Sequence, residues 1–125
     1  MLSLVSPNAY HGYKARLIHV VCDDLFFRAK IEATAQAADA EVVFVDSIDG
    51  LEGAGLLLVD LNYRTIDPID AIRRLKSSSA AMVVVAFGSH TDREGLKGAQ
   101  GAGADEVMAR STFVERLPNL LQAQG

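Results

Sequence analysis

Two aspartates that each come at the end of a short apolar run are the residues of this chain best placed to bind a metal ion. Asp23 follows residues 16–22, and Asp60 ends residues 56–60. If both runs are strands of one parallel sheet, the carboxylates lie at its carboxyl edge and repel one another unless a cation is present. Mg²⁺ needs only one or two carboxylates plus water, and Arg110 can add positive charge. The spacing therefore predicts a Mg²⁺ site.

Cys22 and Arg28 have the C-x5-R spacing of cysteine phosphatases, whose loop also follows a first strand. That chemistry needs backbone N–H groups around a phosphate and a thiolate with a lowered pKa. Here Asp23 and Asp24 would repel a phosphate, and no glycine opens the loop. The pattern favours a small, semi-buried thiol at the end of a strand.

The segments that must position these residues alternate between apolar runs and helical patterns. Strands are predicted at 16–22, 41–45, 56–60, 81–87 and 105–109. Helical patterns follow the first, third, fourth and fifth strands, which implies a parallel sheet with helices on both faces. We expect an α/β, flavodoxin-like, doubly wound fold with strand order 2-1-3-4-5.

Only the connection between the second and third strands is anomalous. Residues 46–55 are close to the minimum length for a parallel crossover and contain Gly50, Gly53 and Gly55. The second helix is therefore predicted to be short or absent.

Helix starts carry recognisable capping signals. Asp24 precedes the first helical pattern, and Asp67 precedes Pro68 at a first helical position. Thr91 and Glu94 have the spacing of a capping box. These signals predict where three of the helices begin.

Composition excludes several classes of protein. Half of the 125 residues are apolar and 22% are charged, as in an ordinary globular domain. A net charge of −4 with dispersed basic residues argues against nucleic-acid binding. One cysteine excludes an internal disulfide, and no apolar run approaches the ~20 residues of a membrane helix. We expect a cytoplasmic domain at 15–122, with a tail or leader at 1–14, and neither nucleic-acid nor membrane partners.

Four stretches give the chain a resemblance to the receiver domains of bacterial two-component response regulators. Residues 20–28 resemble the family's acidic turn and first helix, and 58–62 its phosphoacceptor strand. Residues 85–92 resemble the fourth strand and its loop, and 102–111 the region usually read as A-G-A-D-x-x-x-x-K-P. The resemblance covers roughly residues 15–122 and implies a regulatory module of phosphorelay signal transduction rather than an enzyme.

Site residues carried over by position make Asp60 the phosphoacceptor. The resemblance implies that Asp23, Asp60 and the backbone carbonyl of Asn62 hold Mg²⁺. Ser89, beside the family's hydroxyl position, and Arg110, at its lysine position, complete the implied catalytic set.

Several positions depart from the family pattern. Cys22 stands for the first acid of the acidic pair, Gly88 for the Ser/Thr that contacts the phosphoryl group, and Arg110 for the lysine. Ser111 replaces the proline whose cis bond shapes the loop, and Val107 the aromatic switch residue. Arginine is a longer, planar fork and is not a neutral replacement for lysine. Together these changes predict an atypical receiver, or pseudo-receiver, with weak Mg²⁺ binding and weak or lost phosphorylation.

The resemblance implies that the domain acts through contacts with a protein partner or in a homodimer. A histidine kinase would be its phosphoryl donor. The family's contact surface comprises its fourth helix, fifth strand and fifth helix. Here these correspond to the helix containing Gly95 and Gly98, strand 105–109, and helix 112–122, which Pro118 must start or distort. Glycine lowers helix propensity, so this surface should be easy to reshape.

A second interpretation is a small α/β enzyme or a domain that binds an anionic metabolite. It would use the strand-end crevice around Cys22, Asp23, Ser89 and Arg110. Uptake of a free anion without metal would favour this interpretation. Cooperative uptake of Mg²⁺ with a phosphoryl mimic would favour a receiver.

Overall fold

The computed structural model describes residues 18–51 and 55–122. The elements in these residues are, in chain order, β1 Ile18–Val21, α1 Leu25–Ala37, β2 Val42–Phe44, β3 Gly55–Asp60, α2 Pro68–Ser78, β4 Met82–Gly88, α3 Arg93–Gly101, β5 Glu106–Ala109 and α4 Arg110–Gln122. The strands are all parallel, in the order β2-β1-β3-β4-β5. This confirms the predicted α/β fold. The predicted tail, 1–14, lies outside the described residues.

Both faces of the sheet are buried, which explains why its central strands are almost continuously apolar. All six residues of β3 are buried, and their side chains divide between the faces. Leu58 lies in a core cluster with residues of α1 and α4, including Phe113. Leu57 lies in a second cluster with residues of α2 and α3, including Ile72. Two helices therefore cover each face. No helix in the described ranges is long and apolar enough to cross a membrane.

Two of the predicted helix starts are confirmed. The Asp24 carboxylate accepts hydrogen bonds from the backbone N–H groups of Phe26 and Phe27 at 2.9 and 3.1 Å. Asp67 caps α2 in the same way, with Pro68 as the first helical residue. Both caps satisfy N–H groups that have no partner inside the helix.

The predicted capping box at Thr91 and Glu94 is wrong. Asp92 is the N-cap of α3 and accepts from the Gly95 N–H at 3.0 Å. The Thr91 hydroxyl lies 2.8 Å from that of Ser89, so Thr91 belongs to the preceding loop. An aspartate next to the threonine is an equally good cap.

The last helix also differs from its prediction, because α4 begins at Arg110 rather than at residue 112. Pro118 lies inside the helix and does not start it. Its ring has no N–H, so one hydrogen bond of the helix is missing at that turn.

No helix forms in the described part of the connection between β2 and β3, residues 45–51, as predicted. Ile48 is 7% exposed and packs into the core cluster of α2 and α3. Asp49 lies 3.7 Å from Arg74 of α2. Val45 and Leu51 pack against the same cluster, so apolar contacts and one ion pair anchor the described part of this loop.

A polar cluster fastens α2 to β4 at the amino end of β5. The Asp105 carboxylate accepts from Lys76 Nζ at 2.9 Å and from the Val84 N–H at 2.7 Å. Lys76 also donates to the Met82 carbonyl at 2.7 Å. Burial alone would raise the pKa of Asp105, but the Val84 N–H and the Lys76 ammonium outweigh it and lower that pKa below its ordinary value.

Candidate functional site

The chemistry-bearing residues singled out in the sequence lie at the carboxyl edge of the sheet. Asp60 is the last residue of β3, and Cys22 and Asp23 follow β1, which pairs with β3. Gly88 ends β4, and Arg110 follows β5 directly. Parallel pairing alone brings these five positions to one edge.

Asp60 is the buried centre of this edge, with 1% of its surface exposed. Its Oδ1 accepts from Arg110 Nη2 at 3.2 Å and from the Asn62 N–H at 2.9 Å. Its Oδ2 lies 3.7 Å from Cys22 Sγ. Both carboxylate oxygens therefore have donors, as a charge needs when it is taken out of water.

Cys22 is a buried thiol, only 2% exposed. Burial raises the pKa of this thiol to about 12, and the nearby Asp60 carboxylate adds to the effect. The thiol is therefore protonated at neutral pH and can donate its S–H to Asp60. A protonated, buried thiol is a poor nucleophile, which argues against the C-x5-R chemistry.

Arg110 supplies the positive charge beside Asp60. Its side chain is 28% exposed, and its guanidinium carbon lies 5.3 Å from the centre of the Phe27 ring. Within the described residues, its Nε is buried without a hydrogen-bond partner. The guanidinium is thus held between an aromatic ring and the carboxylate.

The side chains of the other predicted site residues form no hydrogen bond or ion pair with Asp60 in the described part of the chain. Asp23 is exposed, and the neighbouring Asp24 caps α1. The Ser89 hydroxyl is bonded to that of Thr91. Asn62 contacts Asp60 through its backbone N–H.

These residues fit Mg²⁺ poorly. Mg²⁺ prefers oxygen ligands in near-octahedral geometry. Here one Asp60 oxygen faces a protonated thiol, and the other is paired with Arg110. The part of the chain that the structure describes holds no group of three or more His, Cys, Asp or Glu that could bind a metal ion.

Leu61 fills the space beside Gly88, a feature that sequence reasoning missed. A Cβ atom added at Gly88 would lie 3.3 Å from the Cβ of Leu61. The Leu61 N–H donates to the Phe87 carbonyl at 2.9 Å, which fixes Leu61 beside the end of β4. An alanine at 88 would therefore crowd Leu61 slightly, a contact that no motif in the sequence signals.

Arg28 also has surroundings that sequence reasoning missed. Its guanidinium carbon lies 4.3 Å from the centre of the Phe44 ring, and its Nη1 lies 3.4 Å from the Cys22 carbonyl oxygen. The C-x5-R spacing relates Arg28 to Cys22 but does not indicate the contact with Phe44.

Solved structures similar to this chain are response regulators and their receiver domains. The BeF3-activated receiver domain of DrrB aligns at 18% identity with a TM-score of 0.71, covering 87% of this chain and 96% of that one. A CheY-like receiver domain protein from Methanospirillum hungatei JF-1 aligns at 16% identity and 0.69, covering 87% and 95%. The Mn²⁺-bound form of response regulator Rcp1 aligns at 13% and 0.66, covering 86% and 90%.

No protein-family model and no curated protein matches the chain. At identities below 20%, the solved structures inform on the fold alone. Their agreement with the observed strand order establishes that this chain has the fold of response-regulator receiver domains.

Proposed function

We propose that this chain is an atypical receiver-like regulatory domain of bacterial signal transduction, in which Asp60 is phosphorylated slowly or not at all. One observation carries the proposal. The buried Asp60 carboxylate already has a donor at each oxygen, Arg110 at Oδ1 and Cys22 at Oδ2. A receiver that does not depend on phosphorylation acts through its protein contacts.

Phosphoryl transfer at this site would face a charge problem. The transferred group spreads negative charge over its oxygens, so catalysis is mostly positioning and charge compensation. Mg²⁺ normally supplies that compensation, and Cys22 takes the place of one of its carboxylate ligands in the family pattern. Arg110 is the positive charge in contact with Asp60, and it is already paired there.

Protein contacts are proposed for the surface formed by α3, β5 and α4, in a cytoplasmic setting. Arg116 and Glu106 form an ion pair on this surface, 2.5 Å apart and each partly exposed. A Cβ at Gly98, inside α3, would lie 2.7 Å from Ile69 Cδ1 of α2, so a larger residue there requires the Ile69 side chain to shift. Gly98 thus allows α3 to pack close to α2. A protein partner or a second copy of the chain would use this surface, with a histidine kinase as the upstream partner.

The test is incubation with acetyl phosphate and Mg²⁺ followed by intact-mass measurement over time. We expect little or no addition of a phosphoryl group. Asp60→Asn is the control, because it removes the acceptor oxygen while retaining the shape of the side chain. Rapid, near-complete addition that disappears in Asp60→Asn would overturn the proposal.

A further inference from the structure

A second cleft lies beside the Asp60 site, where the missing helix leaves the end of β2 uncovered. Its volume is about 480 Å³, and its lining includes Arg28, Phe44, Asp46 and Tyr63. Arg28 comes from α1, Asp46 from the loop after β2, and Tyr63 from the loop after β3. Ligands of open parallel sheets bind at this edge, outside the carboxyl ends of the strands.

Arg28 is the unusual residue of this cleft. It is partly buried, and no carboxylate of the described residues forms an ion pair with it. Its contacts are the Phe44 ring and a 3.4 Å hydrogen bond to the Cys22 carbonyl. A guanidinium carries five N–H donors, so most of the donors of Arg28 are free for an anionic group.

The acids of the cleft restrict what that anionic group can be. Asp49 also lines the cleft and is paired with Arg74. Asp46 is exposed and forms no ion pair with any described residue. Arg28 attracts an anionic group, whereas the carboxylate of Asp46, unpaired within the described residues, repels a phosphate or another multiply charged anion. They favour a ligand that carries one negative and one positive group.

We propose that this cleft binds a free α-amino acid, with its carboxylate on Arg28 and its ammonium group on Asp46. Arginine binds a carboxylate through two parallel N–H donors, which suits a half-buried position. Phe44 and Val45, which line the cleft and are partly buried, supply apolar surface for the side chain of the ligand. This binding does not require phosphorylation of Asp60.

The cleft is connected to Asp60 through short contacts. Arg28 donates to the Cys22 carbonyl, and the Cys22 thiol lies 3.7 Å from Asp60. The Tyr63 N–H donates to the Asp60 carbonyl at 3.0 Å. A ligand that moves Arg28 therefore acts on Cys22, a neighbour of the Asp60 carboxylate, and one that moves Tyr63 acts on the Asp60 backbone. Any such coupling is reciprocal, because both sites share one free-energy cycle.

The experiment is titration of the full chain with the standard amino acids, one at a time, followed by amide NMR shifts. We expect at least one amino acid to bind saturably, shifting the amides of Arg28, Asp46 and Tyr63, and also those of Cys22 and Asn62. The matching amine without a carboxylate, and the matching acid without an ammonium group, should each bind about tenfold more weakly or worse, since each loses one charge-assisted contact.

Variants distinguish this site from surface binding. Arg28→Gln and Asp46→Asn should each weaken binding about tenfold or more. Asp46→Asn changes an exposed side chain, so it keeps the test valid if Arg28→Gln unfolds. Arg73→Gln, on the exposed side of α2, is the matched control and should bind normally. No saturable binding by any amino acid at ~10 mM, or binding that neither cleft variant weakens, overturns the proposal.

Discussion

Two carboxylate–cation pairs lie at opposite edges of the same sheet, and they differ in what surrounds them. Asp60 and Arg110 meet at the carboxyl edge, where the carboxylate is 1% exposed and its further donors are a thiol and one backbone N–H. Asp105 and Lys76 meet at the amino end of β5, where the carboxylate is 40% exposed and both residues also bond to the backbone of β4.

The difference shows that the Lys76–Asp105 pair joins elements of the fold, whereas the Arg110–Asp60 pair forms a site. Lys76 and Asp105 use their remaining bonds on backbone groups of β4 and of Ala80 in the turn before it, so they join secondary-structure elements. Arg110 and Asp60 leave a buried nitrogen without a described partner and place a neutral thiol on the second oxygen. A buried charge balanced by a single cation is the more vulnerable arrangement.

The largest expected effect is on stability when each cation is removed. Arg110→Ala should lower the free energy of unfolding by about 3 kcal/mol, because it leaves a buried carboxylate unpaired. Lys76→Ala is the matched variant and should cost only about 1 kcal/mol, because water can reach Asp105. Urea unfolding of both proteins measures the difference. An equal loss of unfolding free energy in Arg110→Ala and Lys76→Ala would show that the exposure of the two carboxylates does not determine the stability of the pairs.

A smaller effect is expected in the pH dependence of stability. The folded-state pKa of Asp105 lies below its ordinary value of 3.8, so its pair stabilises the fold fully above that value. This contribution should be lost as the pH falls through the lower, folded-state pKa. Because the group is partly exposed, we expect no more than about 1 kcal/mol. Asp105→Asn should flatten this part of the profile in chemical unfolding at pH 2 to 5, and an unchanged profile would contradict the assignment.

The smallest effect on stability is expected at Gly88, at the carboxyl edge of the sheet, where a substitution changes only van der Waals packing. Gly88→Ala should destabilise the fold by less than about 1 kcal/mol, because crowding against Leu61 is partly offset by reduced freedom of the unfolded backbone. In a Leu61→Ala background the Cδ1 contact at 3.4 Å is removed while the Cβ contact at 3.3 Å remains, so the same change should cost less than in the natural chain. Thermal unfolding of Gly88→Ala, Leu61→Ala and the double variant tests this coupling. Additive changes in unfolding free energy would exclude it.

Features that depend on residues close together in the sequence could be predicted from the sequence. The parallel sheet followed from the alternation of apolar runs and helical patterns, and its strand order from the resemblance to receiver domains. Asp24 and Asp67 were recognisable as caps because capping depends only on near neighbours. The N-cap of α3 could not be predicted from the sequence, because Thr91 and Asp92 both suit that position. The surrounding loop decided between them, through the bond from Ser89 to Thr91.

The sequence could predict that residues from distant strands lie at one edge of the sheet, but not which of their atoms are in contact. Asp60 and Arg110 are 50 residues apart, and parallel topology brings them to the same end of the sheet. Which atoms meet depends on side-chain packing, so the position of Leu61 beside Gly88 and of Arg28 over Phe44 had no sequence signal. The cleft at Arg28 likewise depends on the loop that replaces a helix.

The central claim is that Arg110 and Cys22 keep Asp60 from accepting a phosphoryl group. The most direct measurement is the rate of phosphorylation by acetyl phosphate in the presence of Mg²⁺. It compares the natural chain with the double variant Cys22→Asp, Arg110→Lys. Asp60→Asn, introduced into each of the two proteins, is the control. The account predicts that the double variant reacts about 100-fold faster, the size of effect that one positioned charge or donor has at such a site. Equal rates in the two proteins, whether fast or slow, would contradict it.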